Sequence, residues 1–235
     1  MILVTGNGKL GKELVKLSTT DVPIISLSKK DMDITNEYQV SDVIKHYMML
    51  PNYPKYLIHT AALTKPMDVN DRNPILSLDT NIIGTANVAK ICNKYGIKFI
   101  YISTDFVYEA DKVNLHKEDS SVNPSNKYGW SKLGECIARL IDNHLILRCA
   151  LCDIPFRHKY AFDNIIRSSI THKDVADIII KVKDEKGVIN IGNNFTSMYN
   201  FVSKYQSVKK GTSTNNASSI RLCINKLRRV IDEKS

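Results

Sequence analysis

Ile2-Leu3-Val4-Thr5-Gly6-Asn7-Gly8-Lys9-Leu10-Gly11 opens the chain, and its reading decides the fold. The first four residues are a short apolar, β-branched run that ends in glycine, the pattern of a buried strand. Lys9 to Ser18, with Leu10, Leu14, Val15 and Leu17, reads as a helix. The loop between them has the spacing G-x-G-x-x-G, in the strand-to-helix context that a dinucleotide requires. Gly6 permits the tight turn, Gly8 lets a pyrophosphate approach the backbone, and Gly11 lets helix and strand pack closely. Asn7, Lys9 and Leu10 complete the loop, and the helix start offers its free N–H groups to phosphate.

Outward from this unit, strands and helices alternate. Val22–Leu27, Tyr56–Thr60, Lys98–Ser103, His144–Cys149 and Val188–Ile191 read as strands. Val40–Met49, Pro74–Tyr95, Tyr128–Asp142 and Asp174–Lys183 read as helices. That alternation predicts a Rossmann-type, doubly wound parallel sheet with helices on both faces. The strands are almost continuously apolar, as strands covered on both faces are. Residues 1–150 with 173–192 are expected to form this dinucleotide-binding domain. Residues 151–172 with 193–235 are expected to form a small C-terminal substrate-binding lobe. Lys209 to Ser219 is the most loop-like segment.

After the second strand, a dinucleotide-binding fold that takes NAD usually holds a carboxylate against the ribose diol. Here Ser26-Leu27-Ser28-Lys29-Lys30 follows, with no acid until Asp31. The hydroxyl of Ser28 and the ammonium groups of Lys29 and Lys30 suit the 2′-phosphate of NADPH, with NADH the weaker ligand. The bland reading makes both lysines solvated turn residues. Asp33 and Ile34 follow and are expected to border the adenine.

Tyr128-Gly129-Trp130-Ser131-Lys132 places a phenol and an ammonium four residues apart, on one face if the stretch is helical. A positive neighbour is expected to pull the phenol below its usual pH of about 10 and ready it for proton exchange. Ser103-Thr104-Asp105-Phe106-Val107-Tyr108 ends an apolar run upstream. With His59-Thr60-Ala61-Ala62 and Asn81-Ile82-Ile83-Gly84-Thr85, these motifs resemble the extended short-chain dehydrogenase/reductase family, most closely its dTDP-4-dehydrorhamnose reductase branch. Leu147-Arg148, Asp174-Val175-Ala176 and Val188-Ile189-Asn190-Ile191-Gly192 echo it further.

The resemblance implies NADPH-dependent reduction of a nucleotide-linked 4-keto-6-deoxy sugar, of the dTDP- or UDP-4-dehydrorhamnose type, in deoxysugar biosynthesis. It puts Thr104, Tyr128 and Lys132 in the family's catalytic positions, with Asp105 beside the sugar. Thr104 would hydrogen-bond the carbonyl oxygen, Tyr128 would deliver the proton, and Lys132 would bind the nicotinamide ribose. Ala61, Ala62, Ser103 and Asn81 would line the cofactor side together with Tyr128 and Lys132. His59 reads as structural, and Trp130 as packing or a wall of the sugar pocket. Two features depart from the family: Gly6 and Gly8 stand one residue closer than its usual G-x-x-G-x-x-G, and the second half of the chain is short.

A combined epimerase/reductase is the main alternative. It would need a further acid–base pair, for which Asp105, Lys65 and His59 are the candidates. A non-catalytic regulatory subunit on the same scaffold is the third reading. Composition bounds the rest. The chain has 235 residues, 43% hydrophobic and 24% charged, ordinary for a soluble globular protein. No apolar run approaches the roughly 20 residues of a membrane helix, and the first strand begins too early for a leader peptide. Five cysteines without a secretory signal indicate reduced thiols and a cytoplasmic setting. Cys149 and Cys152 have metal-ligand spacing, yet no second pair accompanies them, so they read as buried thiols and no metal is expected. Net charge is +9, with Lys204, Lys209, Lys210, Arg221, Lys226, Arg228 and Arg229 late in the chain. No nucleic-acid motif accompanies them, so they read as a solvated basic surface. A homodimer is compatible with all of this.

Overall fold

The computed structural model describes residues 1–64, 68–110, 115–214 and 219–234. Six parallel strands form its centre: β1 Ile2–Thr5, β2 Ile24–Leu27, β3 Tyr56–His59, β4 Lys98–Thr104, β5 His144–Cys149 and β6 Gly187–Ile191. They lie in the order β2-β1-β3-β4-β5-β6. In register, Thr5 stands beside Leu27 on one side and His59 on the other, and Thr104 stands beside Cys149. The order reverses at β1, so the crevice where such sheets bind ligands opens beyond the ends of β1 and β3.

Six helices matter here: α1 Lys9–Lys16, α2 Glu37–Met48, α3 Gly84–Tyr95, α4 Lys127–Ser131, α5 His172–Val182 and α6 Asn225–Asp232. Alternation along the strands divides the core in two. Ile2, Val4, Ile58, Ile100, Ile102, Leu145 and Leu147 face α1, α5 and α6 through Leu10, Leu14, Val175, Ile179, Leu227 and Val230. Leu3, Leu57, Phe99, Tyr101 and Ile146 face α2 and α3 through Val40, Ile44, Val88 and Ile91. This is the doubly wound sheet the sequence predicts. No helix among the described residues is long and apolar enough to cross a membrane.

Local sequence sets the boundaries. The Asn36 side chain accepts the Gln39 N–H at the start of α2, and Gly96 closes α3 in the left-handed conformation at φ +66. The helix expected over Pro74–Tyr95 contains a π-helical turn at Asp79–Ile83. The helix expected over Tyr128–Asp142 is broken: α4 passes into a 3₁₀ turn at Lys132–Gly134 and then a single α-turn at Glu135–Ala138. Glycine accounts for the break. A Cβ on Gly129 would lie 2.3 Å from the Phe106 carbonyl oxygen, and one on Gly134 would lie 2.6 Å from that of Asn81. Backbone contact with neighbouring segments takes precedence there over helix continuity.

Beyond the sheet, short strands pair locally. Tyr160–Phe162 lies parallel to Lys209–Gly211, and Thr196–Ser197 lies antiparallel to Ile166–Arg167. The expected loop from Lys209 therefore begins as a strand, while its residues 215–218 lie outside the described set. Cys152, Ala161, Phe201 and Val202 form a separate small core in this region. The expectation that residues 193–235 all belong to the lobe is corrected at α6. This helix puts Leu227 and Val230 on one face and its charges on the other, and that apolar face packs under the sheet.

Candidate functional site

The glycine loop leaves β1 at the reversal point. Gly6 has φ +86, and a Cβ there would lie 3.0 Å from the Cα of Ala61, just past β3. A Cβ on Gly11 would lie 2.3 Å from the Gly6 carbonyl oxygen, so α1 and the loop are in backbone contact. Nothing lies within 4 Å of a Cβ on Gly8, so the surface over the start of α1 is open. Ser26 donates to the Gly6 carbonyl at 3.2 Å and Thr60 to the Thr5 carbonyl at 2.6 Å, and together they hold the turn. Lys12 donates to the Gly8 carbonyl, which leaves Lys9, Leu10 and Gly11 as the N–H donors without intrahelical partners at a helix start. These features fit a dinucleotide pyrophosphate despite the shortened spacing. Asn7 is exposed, and Ala61 and Ala62 are half-buried at the crevice. The side chains of two loop residues point elsewhere: Leu10 is in the core, and Lys9 pairs with Asp153 at 2.9 Å.

At the end of β2 the predicted residues are engaged among themselves. The Asp31 carboxylate accepts the Ser28 N–H and O–H at 2.8 and 2.6 Å. Lys29 pairs with Asp33 at 3.3 Å, and Asp33 also accepts the Thr35 N–H and O–H. Lys30 is exposed. The side chain of Ile34 is buried with α2 and α3, and a Cβ on Gly84 would lie 2.8 Å from it.

The chemical residues gather where β4 ends. Asn126 caps α4 by accepting the Gly129 N–H at 2.7 Å, which seats Tyr128 in the first turn. Alternation along β4 sends Thr104 to one face with Ile100 and Ile102, and Ser103 to the other with Phe99 and Tyr101. Thr104 faces the Tyr128 phenol, and its hydroxyl donates to Asp105 at 3.2 Å. The expectation that a cation lowers the phenol is corrected. Burial first, then the charge of Asp105, push Tyr128 well above its usual value, and Thr104 opposes them. A phenol so placed keeps its proton at neutral pH.

Lys132 is 3% exposed, and its ammonium lies 4.4 Å from the centre of the Tyr101 ring. Burial pulls it down to about 8, against the opposing pull of Glu135 and Cys149. His59 is locked between Thr5 and Thr85, its ring nitrogens 2.8 and 3.1 Å from their hydroxyls. Burial and the charge of Lys132 bring it to about 3, so it is a neutral structural group. Asn81, on the π-turn, accepts the Leu63 N–H at 2.7 Å and donates to the Leu63 carbonyl and to the Ser131 hydroxyl. Its side chain thus ties the segment after β3 to α4. The Ser103 hydroxyl donates to the buried carboxylate of Glu135 at 2.6 Å.

The model of the RmlD substrate binding domain matches residues 1–154. The chain belongs to this family. It is 28% identical over 222 residues to the spore coat polysaccharide biosynthesis protein SpsK of Bacillus subtilis, covering 85% of this chain and 76% of that one. It is 26% identical over 194 residues to a dTDP-4-dehydrorhamnose reductase of Aggregatibacter actinomycetemcomitans, covering 79% of this chain and 61% of the relative. The chain thus spans about six-tenths of that reductase's length. Among solved structures, the dTDP-4-dehydrorhamnose reductase of Bacillus anthracis in complex with NADP superimposes with TM-score 0.83 at 27% identity, covering 97% of this chain and 90% of that one.

Sequence reasoning missed a buried arginine that pairs with Asp105 and the network behind β4. Asp105 is fully buried, and its carboxylate is closed off by the guanidinium of Arg167, which donates from Nε at 3.1 Å and from Nη2. Behind β4, Arg148 grips Glu135 through Nε and Nη2 and donates to the Tyr108 hydroxyl at 2.7 Å, and that hydroxyl donates to Asn190. Arg167, followed by Ser168 and Ser169, carries no local mark, whereas Arg148 sits in the apolar stretch Leu145-Ile146-Leu147-Arg148-Cys149-Ala150, where a buried guanidinium requires an acid partner. That rule was the available signal. Cys149 and Cys152 are buried, and among the described residues no three His, Cys, Asp or Glu side chains gather as a metal site would need.

Proposed function

We propose that this chain is an NADPH-dependent reductase of a nucleotide-linked 4-keto-6-deoxy sugar, of the dTDP- or UDP-4-dehydrorhamnose type. The observation that supports the reading is the Tyr128 phenol facing Thr104 at the end of β4, with the buried ammonium of Lys132 four residues on, in a chain whose opening glycine loop fits a pyrophosphate. NADPH, when bound, supplies a hydride to the ketone carbon. The loop from Gly6 to Gly11 would hold its pyrophosphate, and Lys29 and Lys30 would meet its 2′-phosphate. Tyr128 donates its phenolic proton to the carbonyl oxygen as the C–O double bond becomes a C–O single bond, so ketone becomes alcohol and the phenol becomes phenolate. Lys132 would reach the nicotinamide ribose and stabilise that phenolate until solvent reprotonates it. Residues around 151–172 and 193–219 would cap the sugar.

The epimerase variant gains nothing from His59, which is locked, or from Asp105, which is paired; Lys65 lies outside the described residues. The test follows NADPH absorbance with a panel of dTDP- and UDP-4-keto-6-deoxy sugars. Turnover with at least one, giving an alcohol with a new stereocentre at the former ketone carbon and unchanged configuration at the neighbouring carbons, is the expected result. Absence of turnover across the panel overturns the reading in favour of a non-catalytic subunit.

A further inference from the structure

Arg167 lies outside the sheet, on a two-residue strand held between Thr196 and Ile220, yet its guanidinium reaches the reacting centre. It does so by two routes. The polar route runs through Asp105: Arg167 holds one carboxylate oxygen, and the other accepts the Thr104 hydroxyl at 3.2 Å. An ionised carboxylate can only accept, so the single proton of Thr104 points at Asp105. The oxygen of Thr104 then has its lone pairs for the Phe106 N–H, at 3.3 Å, and for the Tyr128 phenol that it faces. The aromatic route runs through Phe106. The guanidinium lies 4.6 Å from the centre of that ring, and the ring meets Tyr128 edge-on with centroids 6.0 Å apart.

We propose that Arg167 is a positioning residue, which orients Thr104 and Tyr128 by holding Asp105 and Phe106 from outside the sheet. It touches neither the ketone nor the hydride donor. With Arg167 removed, Asp105 is left as a buried carboxylate with no cation on it, and the geometry of Thr104 is no longer fixed from that side. The proposal rests on the reductase reading above, and it predicts a pattern that a direct substrate contact or a purely structural role would not give.

The experiment is a double-mutant cycle in steady-state reduction with the nucleotide sugar that the wild type turns over. Arg167→Gln should lower kcat on the order of 10²-fold, as misplacement of a reacting group does, with the KM for NADPH within about threefold. Arg167→Lys should recover part of that loss. In an Asp105→Asn background, where no buried charge needs holding, Arg167→Gln should add little, within about threefold. Full additivity of the two substitutions, or a loss confined to the sugar KM, overturns the proposal and makes Arg167 a substrate ligand. If Arg167→Gln melts out at assay temperature, two folded proteins still decide the question: an Arg167→Lys with no recovered activity, or a double variant more than about threefold slower than Asp105→Asn, is a contrary result. An inactive wild type fails the reductase reading and this inference together, whereas additivity in an active enzyme fails only the inference.

Discussion

Ser28 and Asp31 close the turn after β2 on each other, the carboxylate accepting both the N–H and the O–H of the serine at 2.8 and 2.6 Å. The hydroxyl bond, then the N–H bond, hold Asp31 below the usual carboxylate range, so the turn carries a negative charge at neutral pH. That charge lies where a 2′-phosphate would lie if Ser28 and Lys29 bind it. Asp31→Asn is therefore expected to raise NADPH affinity relative to NADH. Lys29→Ala with Lys30→Ala should do the reverse, weakening NADPH selectively by about 1–3 kcal/mol if both touch the phosphate. Titrating both cofactors against both variants decides it. Equal shifts for NADPH and NADH would make the turn an ordinary surface.

Lys132 carries a cost that the fold sustains for function. Its ammonium is held at about 8 by burial, against an ordinary 10.5. Between those values the unfolded chain binds the proton and the folded chain does not, so stability rises as pH rises through that window. Below pH 8 the folded state bears the full penalty, on the order of 3 kcal/mol. Lys132→Met should therefore raise the melting temperature at pH 7, with the gain fading by pH 10, while abolishing most turnover. A variant that melts lower at both pH values would contradict this account.

His59 predicts the acid limb of stability. Its folded value of about 3 lies below the free value of 6.5, because burial and Lys132 disfavour the imidazolium. As pH falls below about 6.5 the unfolded state gains a proton that the folded state refuses, so stability declines until about pH 3. His59→Gln removes this titration and should flatten the decline. The check is chemical denaturation of both proteins at pH 7 and pH 4.5, where the gap between wild type and variant should narrow or reverse.

Much of this was legible because strong local signals agreed with the topology. The glycine loop follows a buried strand, and the strands are apolar on both faces, so the doubly wound sheet could be read from Ile2 onward. The helix over Tyr128–Asp142 was misjudged because the contacts that break it, Gly129 to Phe106 and Gly134 to Asn81, are distant in sequence. The site was legible as residue types, yet their partners were not. Asp105 looked available because Arg167, 62 positions later, carries no local mark of where it folds. Ser103 carries no local mark of its Glu135 partner, 32 positions later. Ile34 looked peripheral because only the packed Gly84 reveals that it is core.

Tyr128 is the residue on which the chemistry rests, and two variants separate its role from that of Lys132. Tyr128→Phe keeps the ring that meets Phe106 edge-on and removes only the proton, so folding and NADPH binding should survive. Loss of a positioned acid should lower turnover by ~10²–10⁴. The pH dependence then discriminates. The phenol is pushed well above its usual range, so it stays protonated through the whole assay window and contributes no alkaline limb. Lys132, at about 8, does titrate there. The wild-type kcat/KM should therefore fall as pH rises through about 8, the limb should persist in the residual activity of Tyr128→Phe, and Lys132→Met should lack it. A limb that vanishes in Tyr128→Phe would assign it to the phenol, and wild-type turnover in that variant would remove Tyr128 from the reaction.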